Sequence, residues 1–343
     1  MTTRTREVHL ARRPDGMPVA DDFRMVTTSL DPPGPGQVLV RNILMSVDPY
    51  MRVRMAKLPS YPYWELDQAM DGSAIGVVEL SEEPALPVGT LVGHRLGWRE
   101  HAVLDGHLAR KLSHVEGIPL TAHLGLLGMS GFTAYLGLTE IGSLAEGDTL
   151  YVSGAAGAVG SAVGQFARII GAGRVVGSAG TPAKVAYLVD DLGFDSAFDY
   201  HADSLTDRLA AHVPDGIDVY FDNVGGGHLE AALDAMRPHG RIVVCGAIGE
   251  YNALLRSPGP HNLIYVLTKR LRMEGFTVAE HLSGYPAFVR QATTWLLEGR
   301  LRGAETVAVG LDSAVDAFRD MLTGASLGKM LVRLADDPMP ASA

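Results

Sequence analysis

The sequence predicts an α/β protein with two domains, one β-rich and barrel-like and one built on a doubly wound parallel sheet. The chain has 343 residues, more than one ordinary hydrophobic core supports. Residues 1–125 lack helical periodicity and are dense in proline and glycine, whereas strands alternate with helices afterwards. We therefore predict domains at 1–125 and 126–309. The tail that follows has a strand–helix–strand pattern and is expected to return to the first domain.

The composition is that of a soluble globular protein. Apolar residues make up 47% of the chain and charged residues 20%, and the net charge is −10. The basic residues are dispersed, which argues against a nucleic-acid partner because such a partner requires a clustered basic face. The sequence shows no leader and no apolar run that could cross a bilayer, so we expect a cytoplasmic protein without a membrane partner.

The cysteine and histidine content argues against a metal site. Cys245 is the only cysteine, so neither an intrachain disulfide nor a cysteine-rich zinc site can form. Histidines in the first part of the chain fall at spacings that match no His-x-x-x-His or Cys/His site: His94, His101, His107, His114 and His123. We therefore predict no metal.

In the first domain, apolar runs between turn residues predict strands at 37–44, 74–80 and 90–93. The segment 48–52, which contains Tyr50, also stands out. An aromatic cluster follows, formed by Tyr61, Tyr63 and Trp64. Two interpretations of this cluster stay open: core packing under a loop, or the wall of a pocket.

The second domain contains a glycine-rich turn within 149–168. An apolar run leads into a turn of small residues and then into a helix, which directs backbone N–H groups at one point and favours a phosphate. Gly157 and Gly160 occupy two positions of the Gly-x-Gly-x-x-Gly fingerprint, and Ala155 stands at the first. A dinucleotide site is the favoured interpretation. The alternative is that the small residues only permit close packing of the helix on the strand.

Alternating strands and helices predict a parallel sheet with ligands at the carboxyl ends of its strands. After the strand at 150–152, the predicted strands are 174–178, 197–199, 218–223, 241–245 and 272–276. The predicted helices are 205–212, 228–236, 261–269 and 286–298, and one that begins after Thr181, with Pro182 at its first position. The tail is predicted to form a strand at 306–309, a helix near 312–321 and a strand at 329–334.

The second strand of this sheet indicates which dinucleotide binds. NAD enzymes place Asp or Glu at its end to bind the ribose hydroxyls, but here the strand ends in Gly177, Ser178, Ala179 and Gly180. Lys184 follows, and its cation could pair with a 2′-phosphate. NADP(H) is therefore the predicted cofactor, although Lys184 taken alone would fit a solvated helix face.

Seven segments support a family resemblance. They are 47–52 (Val-Asp-Pro-Tyr-Met-Arg), 131–135 (Gly-Phe-Thr-Ala-Tyr), 155–161, 184–188, 220–226 (Tyr-Phe-Asp-Asn-Val-Gly-Gly), 240–248 with Tyr251 and Asn252, and 327–329 (Leu-Gly-Lys). These segments follow one another in the order found in the family, and through them the chain resembles the zinc-independent medium-chain dehydrogenase/reductases. That branch includes leukotriene B4 12-hydroxydehydrogenase/prostaglandin reductase, the plant alkenal double-bond reductases and the curcumin-reductase-like oxidoreductases.

The resemblance implies a GroES-like catalytic domain, which residues 310–343 complete, a Rossmann domain that binds NADPH, and a homodimer. Tyr50 is similar to a family tyrosine at the reactive end, and the other predicted substrate residues are Tyr63, Trp64, Tyr265 and Thr268. The implied cofactor-binding residues are Gly157, Ala158, Val159, Gly160 and Ser161 at the phosphates, Lys184 and Tyr200 at the 2′-phosphate, Asn223, Cys245, Gly246, Ala247, Ile248, Tyr251, Phe276, Thr277 and Val278 toward the nicotinamide, and Ser326.

Two positions depart from the family pattern. Relatives carry a tyrosine shortly before the strand at 272–276, close to the substrate carbonyl. Thr268 takes that position here, and Tyr265 lies one helical turn earlier. Near the C-terminus, Ser326 replaces an asparagine and has a shorter reach. The resemblance therefore leaves the proton donor or enolate partner open.

Together these features predict that the protein reduces the C=C bond of α,β-unsaturated aldehydes or ketones with NADPH. Hydride addition to the β-carbon spreads charge into an enolate, which a hydrogen bond from Tyr50 or the cofactor ribose can stabilise without a metal. Water or a tyrosine would protonate the α-carbon. Two alternatives remain, NADPH:quinone reduction and a non-catalytic NADPH-binding role. A methyltransferase is disfavoured because the acidic residue after the second strand is missing.

Overall fold

The described part of the chain, residues 2–253 and 258–337 of a computed structural model, divides into two units. One unit contains Met1–Leu124 and Glu305–Ala343, and the other contains Gly125–Ala304. Among the described residues, no helix combines the length and the apolar content that a bilayer-crossing segment needs.

The predicted strands and helices follow one another in the expected order, and the structure adds elements that no pattern predicted. The strands are β1 (Thr3–Leu10), β2 (Phe23–Leu30), β3 (Gln37–Ser46), β4 (Ala74–Ser81), β5 (Leu91–His94), β6 (His101–Asp105), β7 (Arg110–Lys111), β8 (Thr149–Val152), β9 (Arg174–Ala179), β10 (Ser196–Asp199), β11 (Ile217–Asp222), β12 (Met236–Val244), β13 (Arg272–Gly275), β14 (Glu305–Val309) and β15 (Lys329–Arg333). The helices are α1 (Tyr50–Arg54), α2 (Met129–Leu136), α3 (Ala158–Ile170), α4 (Pro182–Ala186), α5 (Leu205–His212), α6 (Gly226–Ala235), α7 (Ile264–Thr268), α8 (Tyr285–Leu297) and α9 (Ala314–Leu322). Among the elements that no pattern predicted are β1, β2, β6 and β7 in the first unit and α2 in the second.

The first unit is built on a seven-stranded sheet with the order β14-β15-β3-β4-β5-β7, in which β6 also pairs with β3. The two tail strands belong to this sheet. β15 pairs antiparallel with β3, with Leu331 opposite Ser46, and β14 pairs parallel with β15. Apolar side chains that alternate along β3, β4 and β5, such as Val38, Val40 and Val92, form the core. The strands predicted from the runs at 37–44, 74–80 and 90–93 are confirmed.

The second unit contains a parallel six-stranded sheet with the order β10-β9-β8-β11-β12-β13. The chain moves outward from β8 in one direction and then from β11 in the other, so the switch point lies between these two strands, where doubly wound folds bind ligands. The predicted doubly wound fold is confirmed. Thr181 caps α4 as predicted, because its side chain accepts a hydrogen bond from the Lys184 N–H and Pro182 opens the helix.

Some elements were not predicted or differ clearly from their predicted extents. α1 was not predicted, because five residues after a proline show no helical period. The helix predicted at 261–269 is confined to Ile264–Thr268. β12 begins at Met236, well before the predicted strand at 241–245, because the residues that follow α6 are already extended.

Candidate active site

The glycine-rich turn lies directly before α3, at the switch point. Gly154 has a φ of +59°, a left-handed conformation that favours glycine. A Cβ at Gly160 would lie 2.4 Å from the carbonyl oxygen of Gly154, so only glycine lets α3 pack on the turn. A Cβ at Gly157 would meet only that same oxygen, at 3.4 Å. Gly160 therefore allows α3 to pack closely on the turn. Gly157 is the N-cap residue of α3 and has no side chain, so it leaves the approach to the N-terminus of this helix open.

A buried carboxylate organises the turn after β11. Asp222 is 1% exposed, and its Oδ1 accepts hydrogen bonds from the Tyr220 hydroxyl at 2.7 Å and from the N–H groups of Val224 and Gly225 at 2.9 Å. The Ser153 hydroxyl of the turn after β8 donates to the same oxygen at 3.1 Å. Burial raises the pKa of Asp222, and the donors oppose that shift. This carboxylate joins the ends of β8 and β11.

The turns after β11 and β12 pack on each other and collect many of the residues predicted to bind the cofactor. The N–H groups of Cys245 and Gly246 donate to the Asp222 carbonyl at 2.9 and 3.1 Å, and that of Ile248 donates to the Asn223 carbonyl at 3.2 Å. The Asn223 side-chain amide also donates to the Ser153 carbonyl of the turn after β8 at 2.8 Å, and the Ala247 N–H donates to the Tyr251 hydroxyl at 3.3 Å. Burial raises the pKa of the Cys245 thiol to about 12, so this thiol is protonated at neutral pH.

Lys184 and Tyr200 lie at the carboxyl ends of the neighbouring strands β9 and β10. The Tyr200 hydroxyl is 3.0 Å from the place that a Cβ on Gly180 would take, so the ring lies against the end of β9. The ring also meets His228 edge to face, with 4.9 Å between centroids. Lys184 is half-buried, and burial lowers the pKa of its ammonium. The structure thus brings the two residues predicted for the 2′-phosphate to one edge of the sheet.

Other predicted residues of the second unit lie at the far edge of its sheet. Phe276, Thr277 and Val278 follow β13, with the Phe276 ring 3.2 Å from a Cβ placed on Gly137. Thr268 ends α7, is exposed and bonds back to the Ile264 carbonyl at 3.2 Å. Tyr265 is half-buried on the same helix, under the ammonium of Lys269.

Tyr50 is the first residue of α1 in the first unit. Its hydroxyl is buried and makes no hydrogen bond with the described residues. Burial, with the nearby Asp48 carboxylate, raises the pKa of the phenol, so the group is a neutral donor at physiological pH. An unpaired buried hydroxyl is unfavourable by about 1–3 kcal/mol, which a ligand that accepts its hydrogen bond would recover.

The aromatic cluster after α1 divides into packed and half-buried members. Trp64 is 5% exposed and lies under the Arg54 guanidinium, 4.9 Å from the ring centroid. Tyr63 is half-buried between the cations of Arg13 and Lys57, at 5.3 and 5.2 Å. Ser326 belongs to the same unit as these residues and lies half-buried shortly before β15.

Sequence reasoning missed two polar clusters. Tyr220 and Asp222 are two residues apart on β11, so they share a face of the sheet, and this pattern of polar groups in an apolar strand was the available signal. Lys329 forms an ion pair with Asp48 at 2.9 Å, and the available hint was that the two residues belong to the family segments 327–329 and 47–52. Both clusters depend on contacts between distant parts of the chain.

A unit with tail strands inserted in its sheet, together with a doubly wound unit that opens with a glycine turn, defines the medium-chain dehydrogenase/reductase fold. Residues 6–112 match a family described as the N-terminal domain of oxidoreductase, and residues 158–296 match one described as zinc-binding dehydrogenase. Within 2–253 and 258–337, however, no three His, Cys, Asp or Glu side chains are grouped so that they could hold a metal ion.

The similar proteins identify the branch. A putative NADP-dependent oxidoreductase of Bacillus subtilis, YfmJ, is 42% identical over 98% of this chain and 99% of its own. A tobacco NADP(+)-dependent 2-alkenal reductase is 40% identical over 96% and 97%. The crystal structure of CurA from Vibrio vulnificus in complex with NADPH matches with a TM-score of 0.91 and 37% identity, over 97% of this chain and 100% of that one. The chain belongs to the zinc-independent medium-chain dehydrogenase/reductase family, as predicted.

Proposed function

We propose that this protein is an NADPH-dependent reductase of the C=C bond of α,β-unsaturated aldehydes and ketones. The observation that carries the proposal is the buried, unpartnered hydroxyl of Tyr50, a neutral donor with no acceptor among the described residues. An enolate oxygen is such an acceptor. The relatives support the same chemistry, since a 2-alkenal reductase is among them.

The second unit fits the cofactor. The open approach at Gly157 admits a pyrophosphate to the first N–H groups of α3, from Ala158 to Ser161. Lys184 and Tyr200 bind the 2′-phosphate, and no carboxylate at the end of β9 repels it. The packed turns that contain Asn223, Cys245, Gly246, Ala247, Ile248 and Tyr251, with Phe276, Thr277 and Val278, hold the nicotinamide half, and Ser326 is a further ligand. When bound, NADPH supplies the hydride.

The protein contributes position and a hydrogen bond to the reaction. The Tyr50 hydroxyl donates to the substrate oxygen and stabilises the negative charge that develops there as the β-carbon accepts hydride. Its raised pKa keeps the proton on the phenol. Water or a tyrosine then protonates the α-carbon. Tyr63, Trp64, Tyr265 and Thr268 are the residues we propose to contact the substrate.

Turnover with 3-penten-2-one tests this function. Absorbance at 340 nm should fall when the protein, NADPH and the enone are mixed, and the product should be the saturated ketone, two mass units heavier than the substrate. A parallel reaction with a quinone gives a hydroquinone, which differs in mass and spectrum. Reduction of quinones alone would favour the quinone reductase alternative. No turnover with any enal, enone or quinone would contradict the proposal.

Replacing Lys184 with alanine should make the enzyme lose its preference for the phosphorylated cofactor. A hydrogen bond between charged groups is worth about 1.5–3 kcal/mol, so we expect the KM for NADPH to rise by about 10- to 100-fold. The KM for NADH should change little, because its ribose has no phosphate at that position. Lys111→Ala, at an exposed lysine of the first unit, is the control. No change in either KM would assign Lys184 to the solvated helix surface, and equal increases for both cofactors would show that Lys184 does not recognise the 2′-phosphate.

A further inference from the structure

Lys329, the first residue of β15, has a buried ammonium group. Only 3% of the residue is exposed. Its Nζ donates to the carbonyl oxygen of Val47 and to Oδ1 of Asp48, each at 2.9 Å. A charge withdrawn from water requires partners of this kind, so both contacts are integral to the way that the tail is bound to the first unit.

Both acceptors lie in the link between β3 and α1, which consists of Val47, Asp48 and Pro49. The second carboxylate oxygen of Asp48 accepts a hydrogen bond from the Ser46 hydroxyl, so both oxygens are engaged. The tail also contacts the link through its backbone, since the Val47 N–H donates to the Met330 carbonyl at 3.3 Å. The tail therefore holds this link by the ion pair with Asp48 and by hydrogen bonds to the N–H and carbonyl groups of Val47.

The link in turn sets the first turn of α1, which begins with Tyr50. The Met51 N–H donates to the Asp48 carbonyl at 3.1 Å, and the Arg52 N–H donates to the Pro49 carbonyl at 3.0 Å. Any shift of Asp48 would therefore move the backbone that carries the Tyr50 ring. A donor must lie close to the atom on which charge develops, and a misplacement of about 1 Å is enough to slow an enzyme substantially.

We infer that Lys329 is a positioning residue of the reaction: its two hydrogen bonds hold the 47–49 link so that the Tyr50 hydroxyl stays aimed at the substrate oxygen. This inference rests on the proposed function of Tyr50. The Lys329 ammonium already donates to the Val47 carbonyl and to the Asp48 carboxylate, so Lys329 acts through the link and does not itself contact the substrate.

A double-mutant cycle in the full-length chain tests the inference. Lys329→Met keeps the apolar stem and removes the charge and both hydrogen bonds. With 3-penten-2-one we expect kcat to fall by about 10- to 100-fold. The Kd for NADPH, measured by calorimetry, should stay within about twofold, because the residues proposed to bind it, Ser326 excepted, belong to the other unit. In a Tyr50→Phe background, Lys329→Met should reduce kcat by less than about twofold further, because the hydroxyl that it positions is gone.

Arg41→Met is the control for the loss of an ion pair, since it removes the pair between Arg41 on β3 and Glu79 on β4 without touching the link that follows β3. Its kcat should equal that of the wild type. Asp48→Asn keeps an acceptor for Lys329 and should retain most of the activity that Asp48→Ala loses. If Lys329→Met does not fold, the two Asp48 variants replace it in the double-mutant cycle with Tyr50→Phe. If Lys329→Met slows the Tyr50→Phe variant as much as the wild type, Lys329 has only a structural role. If Tyr50→Phe is fully active, the proposed role of Tyr50 fails instead.

Discussion

Tyr50→Phe should lower kcat for enone reduction by about 100- to 1,000-fold, the usual effect of removing one donor to a developing oxyanion. The ring and its packing remain, so the loss reports the hydroxyl alone. Affinity for NADPH should be unchanged. The measurement is the initial rate of absorbance loss at 340 nm at saturating enone and NADPH, together with a calorimetric Kd for the cofactor.

Tyr135→Phe is the control for loss of a tyrosine hydroxyl. That ring packs against Phe166, Phe288 and Trp295 in the second unit, and no proposed role depends on it. We expect wild-type kcat for this variant. A Tyr50→Phe enzyme with more than about half of the wild-type kcat would assign enolate stabilisation to the cofactor ribose or to water.

Asp222→Ala should cause the largest loss of stability. It leaves the N–H groups of Val224 and Gly225 without their acceptor inside the protein and removes a partner of Tyr220 and Ser153. We expect the free energy of unfolding to fall by about 3–5 kcal/mol. Affinity for NADPH should fall with it, because the same carboxylate supports the turn that contains Asn223. Urea unfolding followed by far-ultraviolet circular dichroism measures the change.

Two variants separate the effect of the Asp222 network from the general loss of a carboxylate. Asp222→Asn keeps an oxygen acceptor of the same shape and should be much less destabilising than Asp222→Ala. Asp195→Ala removes a more exposed carboxylate that accepts from Val175 and Arg168, and we expect a loss of about 1 kcal/mol or less. If Asp222→Ala lowers the free energy of unfolding by no more than Asp195→Ala does, the hydrogen bonds of Asp222 do not stabilise the turn.

The fold was largely predictable because its signals are local. The turn before α3 and the cap at Thr181 are each written within a few consecutive residues, and periodicity distinguishes the strands of the second unit from its helices. The helix α1 and the first and last residues of β12 were not predictable in this way, since short or irregular elements depend on tertiary contacts more than on their own sequence.

The site was predictable only in part. The sequence places Asn223 and Cys245 at the carboxyl ends of predicted strands, and parallel strand ends meet at one edge of a sheet, so their grouping follows from topology. The sequence does not reveal that the hydroxyl of Tyr50 has no partner among the described residues or that Lys329 contacts Asp48, because these facts arise from residues far apart in the chain.

The departure at Thr268 also becomes clearer in the structure. Its hydroxyl donates to the carbonyl of Ile264, one turn back on α7, which is a frequent use of threonine within helices. The side chain is shorter than the family tyrosine and is already engaged. We therefore regard Tyr50 as the better candidate for the enolate partner.

The pairing of β15 with β3 has a consequence for biosynthesis. All of the second unit is translated before Lys329–Arg333, so that unit can fold while the ribosome still holds the tail, whereas the sheet of the first unit lacks an inner strand until then. During that interval the end of β3 at residues 44–46 lacks its partner strand, and unpaired backbone groups of a strand are prone to wrong pairing between nascent chains. β15, the last strand of the described chain to be translated, removes this risk when it pairs with β3.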